Sequence, residues 1–467
     1  MANAYKTPGV YVEEIPNLPP SVAGVETAIP AFIGYTQKAA IKSIDDALNT
    51  ATRITSMVEY EAYFGVAEPE TTIVVTVSKA ADGTRSAVAQ LDETKRSKHM
   101  MWYALRLYFD NGGGPCYILS VGGYGAIAVK ALKDGLALIG KVDEPTLIVF
   151  PEAQYLSDIG DYKDLHDEAL QQCALLQDRL VIMDLHSGDA GSMNDSSTDI
   201  GKAVGKFRDS GSVTTNLKYG AVYAPNIQTS IDFNYDPAKT NVHNDDGNDY
   251  FVSALQAKDD QAYNLVTAAI SALPCNLPPA GAIAGVYAAV DSARGVWKAP
   301  ANVSVSDANQ PTIPITNVDQ DGMNVDPTAG KSVNAIRAFT GLGTLVWGAR
   351  TLAGNDNEWR YINVRRFCIF AEESIRKACQ QFVFEPNDGN TWVKVQGMIE
   401  NFLNTQWRQG ALMGSKPADA YSVSIGLGKT MTALDVLEGR MIVVVGLCPV
   451  RPAEFIVLRF VQTMPVS

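Results

Sequence analysis

The sequence predicts a multi-domain α/β chain with an extended arm at each end. Three observations carry that prediction. Between Cys116 and Tyr223, short apolar runs alternate with helical patterns, as in a largely parallel sheet layered with helices. At 467 residues the chain is too long for one comfortable core, so two or three domains are expected. Each end also carries a strand-forming run: Val10, Tyr11, Val12, Glu13, Glu14 and Ile15 among Pro8, Pro16, Pro19 and Pro20, and Glu454 to Gln462 after a turn at Pro449 to Ala453.

The amino-terminal run is too short to build a core and must pair with a sheet edge. That edge belongs either to its own domain or to a neighbouring subunit, where backbone hydrogen bonds supply affinity and alternate side chains fill pockets. Next, Ala31 to Thr36 reads as a buried strand, and Ile54 to Gly65 contains a short helix closed by Gly65. Residues 66–98 are polar and rich in Thr and Ala, and read as a surface insertion with a hairpin-like Asp82-Gly83. Met100 to Asp110 is an amphipathic helix broken by Asn111-Gly112-Gly113-Gly114-Pro115, with a strand from Cys116 to Val121.

The alternation then runs helix near Ile127 to Leu138, strand Thr146 to Phe150, helix Tyr162 to Asp178, strand Leu180 to Asp184, helix Ile200 to Arg208 and strand Tyr219 to Tyr223. Residues 226–262 read as a second polar excursion, and Tyr263 to Ser292 as helical pieces separated by Pro274, Pro278 and Pro279. Val333 to Phe339 and Thr344 to Leu352 lead into the last region. There, Tyr361 to Phe370 has the β-branched and aromatic content of a strand, and Glu372 to Phe382 the spacing of a helix. Glu385 to Gly389 is turn chemistry, with Asn390 or Thr391 as cap of an amphipathic helix that Gly410 ends. Met441 to Cys448 reads as a buried strand forming a hairpin with Glu454 to Gln462.

Composition excludes several function classes. Apolar residues make up 46% and charged residues 19%, ordinary for a folded protein. The net charge of −13 opposes nucleic acid as a partner, because phosphate binding needs a cationic face. MANAYKTPGVYVEE holds no apolar core of signal-peptide length, which leads to an expectation of synthesis in a bacterial cytoplasm. The longest apolar run, Met441 to Val450, is about half the ~20 residues a membrane helix needs, so no membrane insertion is expected. Six cysteines show no CxxC pair and read as buried reduced thiols.

The motifs that suggest chemistry do not survive inspection. Gly426-Leu427-Gly428-Lys429-Thr430 resembles the end of a phosphate loop, but Val423 stands where the motif requires glycine. Asn111 to Pro115 lies between a helix and a strand, the wrong order for a dinucleotide site. Asp184, His186 and Ser192 fall on one strand exit, whereas a hydrolase triad converges from separate elements. His99, His166, His186 and His243 have no metal spacing, and Asp245 to Asp249 lacks the ligand order of a calcium loop. No catalytic residue, metal or cofactor is expected. Arg360, Arg365, Arg366, Arg376 and Arg408 lie among Glu358, Glu372, Glu373 and Glu400; they read either as exchangeable surface pairs or as a charged interface between subunits.

The same region carries a family resemblance. WRYINVRRFCIFAEESI, then FEPND and a helix ending in WRQGAL, resemble the C-terminal domain of contractile tail sheath proteins. TPGVYVEEI, from Thr7 to Ile15, resembles that family's opening arm, and YFG and GGGP landmarks lie between. The resemblance implies a structural subunit, not an enzyme. Such subunits polymerise as hexameric rings in a helical sleeve around an inner tube and contract to drive the tube through an envelope.

The implied fold is a non-catalytic, subtilisin-like α/β middle, an α+β C-terminal sheath domain and extended terminal strand arms. The implied division is an arm at 1–22, an outer region at 23–350, an inner domain at 351–452 and an arm at 453–467. The resemblance assigns Val10 to Ile15 and Phe455, Ile456, Val457, Leu458, Arg459 and Phe460 as inter-subunit strands. The acceptor strand includes Ile442, Val443, Val444 and Val445, and Lys394, Arg408 and Lys416 are tube-facing candidates. Pro16 to Val22 and Pro449 to Ala453 are the expected hinges. Implied partners are further copies of the chain, an inner tube protein, baseplate proteins and terminal cap proteins. The motif TLAGNDNEWRYI resembles sheaths of phage-tail-like injection systems more than those of long phage tails. A non-contractile shell or surface-layer protein, or an α/β hydrolase, are the alternatives.

Overall fold

Strands that are buried on both faces organise the chain, as expected for parallel strands written as unbroken apolar runs. The computed structural model describes residues 21–186, 192–211, 213–328 and 330–459. They form two compact units, one of residues 25–373 and 449–459 and the other of residues 21–24 and 374–448. The division falls between Glu373 and Ser374, further along the chain than the boundary at 351 read from sequence.

The larger unit is built on a nine-stranded sheet. Its order is Val303–Ser304, Gly343–Val346, Asn334–Phe339, Gly220–Ala224, Leu180–Asp184, Leu147–Val149, Pro30–Tyr35, Cys116–Gly122 and Thr52–Ile54. The six consecutive strands from Asn334–Phe339 to Cys116–Gly122 are parallel, and antiparallel pairs close both margins. Period-two alternation sends neighbouring side chains into different cores: Phe32 joins one, Ala31 and Ile33 the other.

The first core takes in the helices Met101–Asp110 and Ala280–Arg294 through Leu105, Tyr108, Ile283 and Tyr287. These two helices touch through glycine. A Cβ on Gly281 would stand 2.3 Å from the Ala104 carbonyl oxygen, and one on Gly285 would stand 2.4 Å from that of Tyr108. The second core takes in Val129–Ile139 and Ile159–Leu176 through Leu132, Leu136, Leu165 and Leu170.

The two segments read as surface excursions are ordered, and they pair with each other. Val74–Lys79 and Arg85–Gln90 form a hairpin, and Asn241–His243 adds in parallel to the first of these strands, extended by Asp249–Phe251. The helix Asp260–Ser271 packs on this four-stranded sheet. Arg85 ties the sheet to its surroundings, donating to Asp245 and Asp259 at 2.7 Å each. The acidic loop from Asp245 to Asp249 is therefore a hairpin turn, with Gly247 at φ 82°.

Tyr361 to Phe370 is not a strand. It is the first half of a continuous helix, Ile362–Cys379. Its residues from Ile362 to Ile369 are all buried, the polar Asn363, Arg365 and Arg366 among them. In the smaller unit the helix Gly389–Arg408 is capped by Asp388, whose side chain accepts from the Asn390 and Thr391 amides. The capping residue is thus Asp388, earlier than the Asn390 or Thr391 expected. Gly410, at φ 89°, follows the end of this helix.

Of the six cysteines, all free, Cys116, Cys173, Cys275 and Cys368 are buried, Cys379 is half-buried and Cys448 is exposed. No helix among the described residues is long and apolar enough to cross a membrane.

Candidate functional site

The expected C-terminal hairpin is not formed among the described residues. Val443–Leu447 pairs instead with Tyr421–Ile425, antiparallel, with Val423 opposite Val445 and Ser424 opposite Val444. Residues 451–459 are in no strand, and they belong to the other unit. Two features oppose a tight hairpin here: Pro449 and Pro452 interrupt the connection, and Glu454 is held elsewhere.

Arg350 holds it. The guanidinium donates to Glu454 through Nε at 2.9 Å and Nη2 at 2.7 Å, a two-pronged contact that suits the planar fork of arginine. Asn324 Nδ2 donates to the same carboxylate at 2.8 Å and Tyr361 Oη at 3.0 Å. Burial acts to raise the Glu454 pKa, but the hydrogen bonds from Arg350 and Asn324 and the arginine charge outweigh it and hold the carboxyl below its ordinary value. Four residues earlier, Asn363 Nδ2 donates to the Val450 carbonyl at 3.1 Å. The segment Pro449 to Ala453, the expected hinge, is thus held within the larger unit at Val450 and again just past its end at Glu454.

From Phe455 to Arg459 the chain is open to solvent. Phe455, Ile456, Val457 and Leu458 are 72–79% exposed. Four consecutive large apolar side chains in water are costly, at about 1.5–3 kcal/mol each relative to burial. Arg459 is exposed as well. Val10 to Ile15 and Phe460 lie outside the described residues.

The amino-terminal end of the larger unit has a matching anchor. Arg366 donates to Asp291 at 2.9 and 2.5 Å and to the Thr27 carbonyl at 2.8 Å, while Thr27 Oγ1 donates to Asp291 at 2.6 Å. The guanidinium also stacks over Tyr287, whose hydroxyl meets that of Tyr223 on the central sheet.

Two members of the arginine cluster are therefore internal, which removes Arg365 and Arg366 from either a surface-pair or an interface reading, while Arg376 and Arg408 are exposed. Arg365 and Arg366 are buried; Arg365 lies between Tyr219 and Trp359 and pairs with Glu372 at 2.7 Å. Arg360 braces its own loop through the Gly354 carbonyl and Asn357. That loop, closed by a bridge between Arg350 and Tyr361, brings the two clamp residues together. The NDNEWRY stretch was its only visible signal in the sequence.

In the smaller unit, the two-stranded sheet has one covered face and one open face. Tyr421, Val423, Ile425, Val443, Val445 and Leu447 share a face by register, and the helix Gly389–Arg408 packs on the first strand. Ser422, Ser424, Val444 and Gly446 share the other, with Val444 54% exposed. The acceptor strand is consequently not buried: Ile442 and Val444 are exposed, and Val443 and Val445 half-buried. Among the described residues each strand has one partner and one unpaired edge. Two-stranded sheets are marginal alone, and open edges are templates for a further strand.

Lys394 and Arg408 lie on the exposed side of the helix Gly389–Arg408, in a stripe with Asn390, Val393, Gly397, Asn401 and Thr405 that carries no acidic residue. Lys416 is exposed and stands 3.9 Å from Asp419.

The discounted motifs have structural roles. Gly426 to Thr430 is a tight turn in which Lys429, Thr430 and Met431 amides bond to the Gly426 carbonyl. Asp184 caps the helix Ala280–Arg294 through the Ala280 amide at 2.7 Å, and burial raises its pKa to about 7. His186 Nε2 meets the Leu156 carbonyl at 2.8 Å. No cluster of three metal-ligating side chains occurs among the described residues.

Comparison with known proteins gives the class. Residues 354–463 match the model of the phage tail sheath C-terminal domain. A chain of the anti-feeding prophage (AFP) baseplate is 31% identical with a TM-score of 0.65, covering 99% of this chain and 100% of that one. One from the AFP helical sheath in its contracted state is 32% identical with a TM-score of 0.64, covering 98% and 100%. The contracted sheath complex of PVC, an extracellular contractile injection system, matches at 29% identity and a TM-score of 0.65, covering 99% of each chain. No curated protein matches. The chain belongs to the contractile tail sheath family, and its relatives come from phage-tail-like contractile injection systems.

Proposed function

We propose that this chain is the sheath subunit of a contractile injection particle. It polymerises as hexameric rings in a helical sleeve around an inner tube, and contraction of the sleeve drives the tube through a target envelope. The observation that carries this is the pairing of an apolar arm, Phe455 to Leu458, left in solvent, with a two-stranded sheet that has unpaired edges. In the assembly, Phe455 to Phe460 of one subunit and Val10 to Ile15 of another add to a neighbour's sheet beside Ile442 to Val445. Strand addition of this kind draws on unpaired backbone groups and needs no enzyme-like site.

The α/β region within 23–350 forms the outer layer as a subtilisin-like fold without catalysis, and the region within 351–452 lies inward. Arms occupy 1–22 and 453–467. Lys394, Arg408 and Lys416 face the tube, where a cationic stripe suits an acidic partner surface. Baseplate and terminal cap proteins contact the ends of the sleeve. Assembly takes place in a bacterial cytoplasm, without nucleic acid, cofactor or membrane insertion.

Deleting residues 455–467 tests this. The shortened chain is expected to remain a folded monomer that forms no tubes, alone or with the tube protein. Tubes of normal appearance would overturn the strand-addition reading. A chain that forms closed shells with no tube partner would instead identify a non-contractile structural protein.

A further inference from the structure

The anchors of the two arms meet on one helix. Asn363 holds the carbonyl of Val450, and Arg366 holds the carbonyl of Thr27. These residues are three apart on the helix Ile362–Cys379, about 4.5 Å along its axis. Tyr361, at the entry to that helix, adds its hydroxyl to Glu454. Asn363 and Arg366 are both buried, and both grip main-chain carbonyls, so they hold the path of the chain and not one side chain. Arg366 is itself fixed by a buried pair with Asp291 and by the Tyr287 ring.

We infer that the opening two turns of this helix couple the two arm roots, with Tyr361, Asn363 and Arg366 as positioning residues that fix where each arm leaves the body. Two elements seated on one rigid helix cannot shift independently, so loosening one root loosens the other. The pivots then lie beyond the clamps, before Thr27 at one end and after Glu454 at the other. The carboxyl-terminal pivot is thereby placed past Pro449 to Ala453. In a sheath, pull arriving through one arm passes to the other through the helix, so neighbouring subunits move together. That consequence rests on the proposed strand exchange; the coupling within the subunit does not.

The coupling is testable on the isolated full-length chain by hydrogen exchange, with the buried strand Leu180–Asp184 as internal reference. Glu454→Gln combined with Asn363→Ala loosens the carboxyl-terminal root. Exchange is expected to rise at least threefold at the bonded Thr351 amide, beside the Arg350–Glu454 contact, and also at the Ile29 amide, which is bonded to Thr146 Oγ1. Thr27→Val, which removes the hydroxyl contact to Asp291 without touching a charge, is expected to raise exchange at the Thr351 amide in return, since coupling between two sites is reciprocal. Changes confined to the mutated root in both variants would overturn the inference. Because the readout is on the monomer, a chain that failed to build tubes would count against the proposed function and leave this result standing.

Discussion

Replacing Glu454 with Gln removes the charge from the contact that holds the carboxyl-terminal arm root while keeping its shape. Arg350 is only 4% exposed and makes its fork to this carboxylate, so the change leaves a buried cation facing a neutral amide. Removing one partner of a buried pair costs about 3–5 kcal/mol. Here three features reduce that. The Glu454 side chain is 21% exposed, Arg350 keeps its bond from Nη1 to the Asn324 carbonyl, and the amide oxygen still accepts one hydrogen bond. A local loss of about 1–2 kcal/mol remains, in line with charge-assisted bonds to one carboxylate. It corresponds to a roughly 5- to 30-fold rise in opening of the root.

The assay is hydrogen exchange of the Thr351 amide, bonded to the Arg360 carbonyl in the bridge that carries Arg350 and Tyr361, in the isolated chain at neutral pH. Arg350→Met and the double variant complete a cycle, with an expected coupling of about 1–3 kcal/mol. Acid should reproduce the effect in the native chain. The Glu454 carboxyl is held below its ordinary pKa, so its contribution is fully present above the unfolded value and is lost as pH falls through the folded one. An exchange rate in Glu454→Gln equal to that of the native chain, or additive single effects, would refute the clamp.

Other expectations concern the body that carries the clamp. Glu152 is fully buried, accepts the Met100 and Met101 amides at 3.1 Å each, and burial raises its pKa to about 8. The folded state therefore binds the proton more tightly, and stability falls as pH rises from about 4.5 to about 8, by an upper bound of roughly 5 kcal/mol. Glu152→Gln should flatten thermal stability across that window. Gly281→Ala drives a methyl group onto the Ala104 carbonyl and should cost about 1–3 kcal/mol or more, seen as a lower midpoint in denaturant. Asp388→Ala removes both capping bonds of the helix Gly389–Arg408, with an expected loss of about 1 kcal/mol and faster exchange in its first turn.

What the sequence showed and hid follows from the range of each signal. The strands Leu180–Asp184 and Gly220–Ala224 were legible because parallel strands buried on both faces read as continuous apolar runs. The helix Ile362–Cys379 was misread as a strand at its start for a related reason. In its buried opening turns Ile362, Val364, Phe367 and Ile369 are interleaved with the equally buried Asn363, Arg365 and Arg366, and that β-branched and aromatic content suggests a strand. Pairing between residues 66–98 and 226–262 is set by tertiary contacts, which neither segment encodes locally.

The arm after Glu454 was visible as four apolar residues in a row. Its anchor was not, because Arg350 lies 104 residues away and an isolated arginine carries no sign of its partner. The same distance effect hid the Arg366–Asp291–Thr27 contact and left the buried Arg365 and Arg366 undistinguished from the exposed Arg376 and Arg408.

The most direct test of sheath function is negative-stain electron microscopy of the full chain co-produced with the inner tube protein proposed as its partner, compared with the chain lacking residues 455–467. The expected result is hollow, regularly ridged tubes from the full chain that shorten and widen on triggering, and none from the shortened one. Identical tubes from both chains, or a full chain that stays monomeric beside an assembled tube, would contradict it.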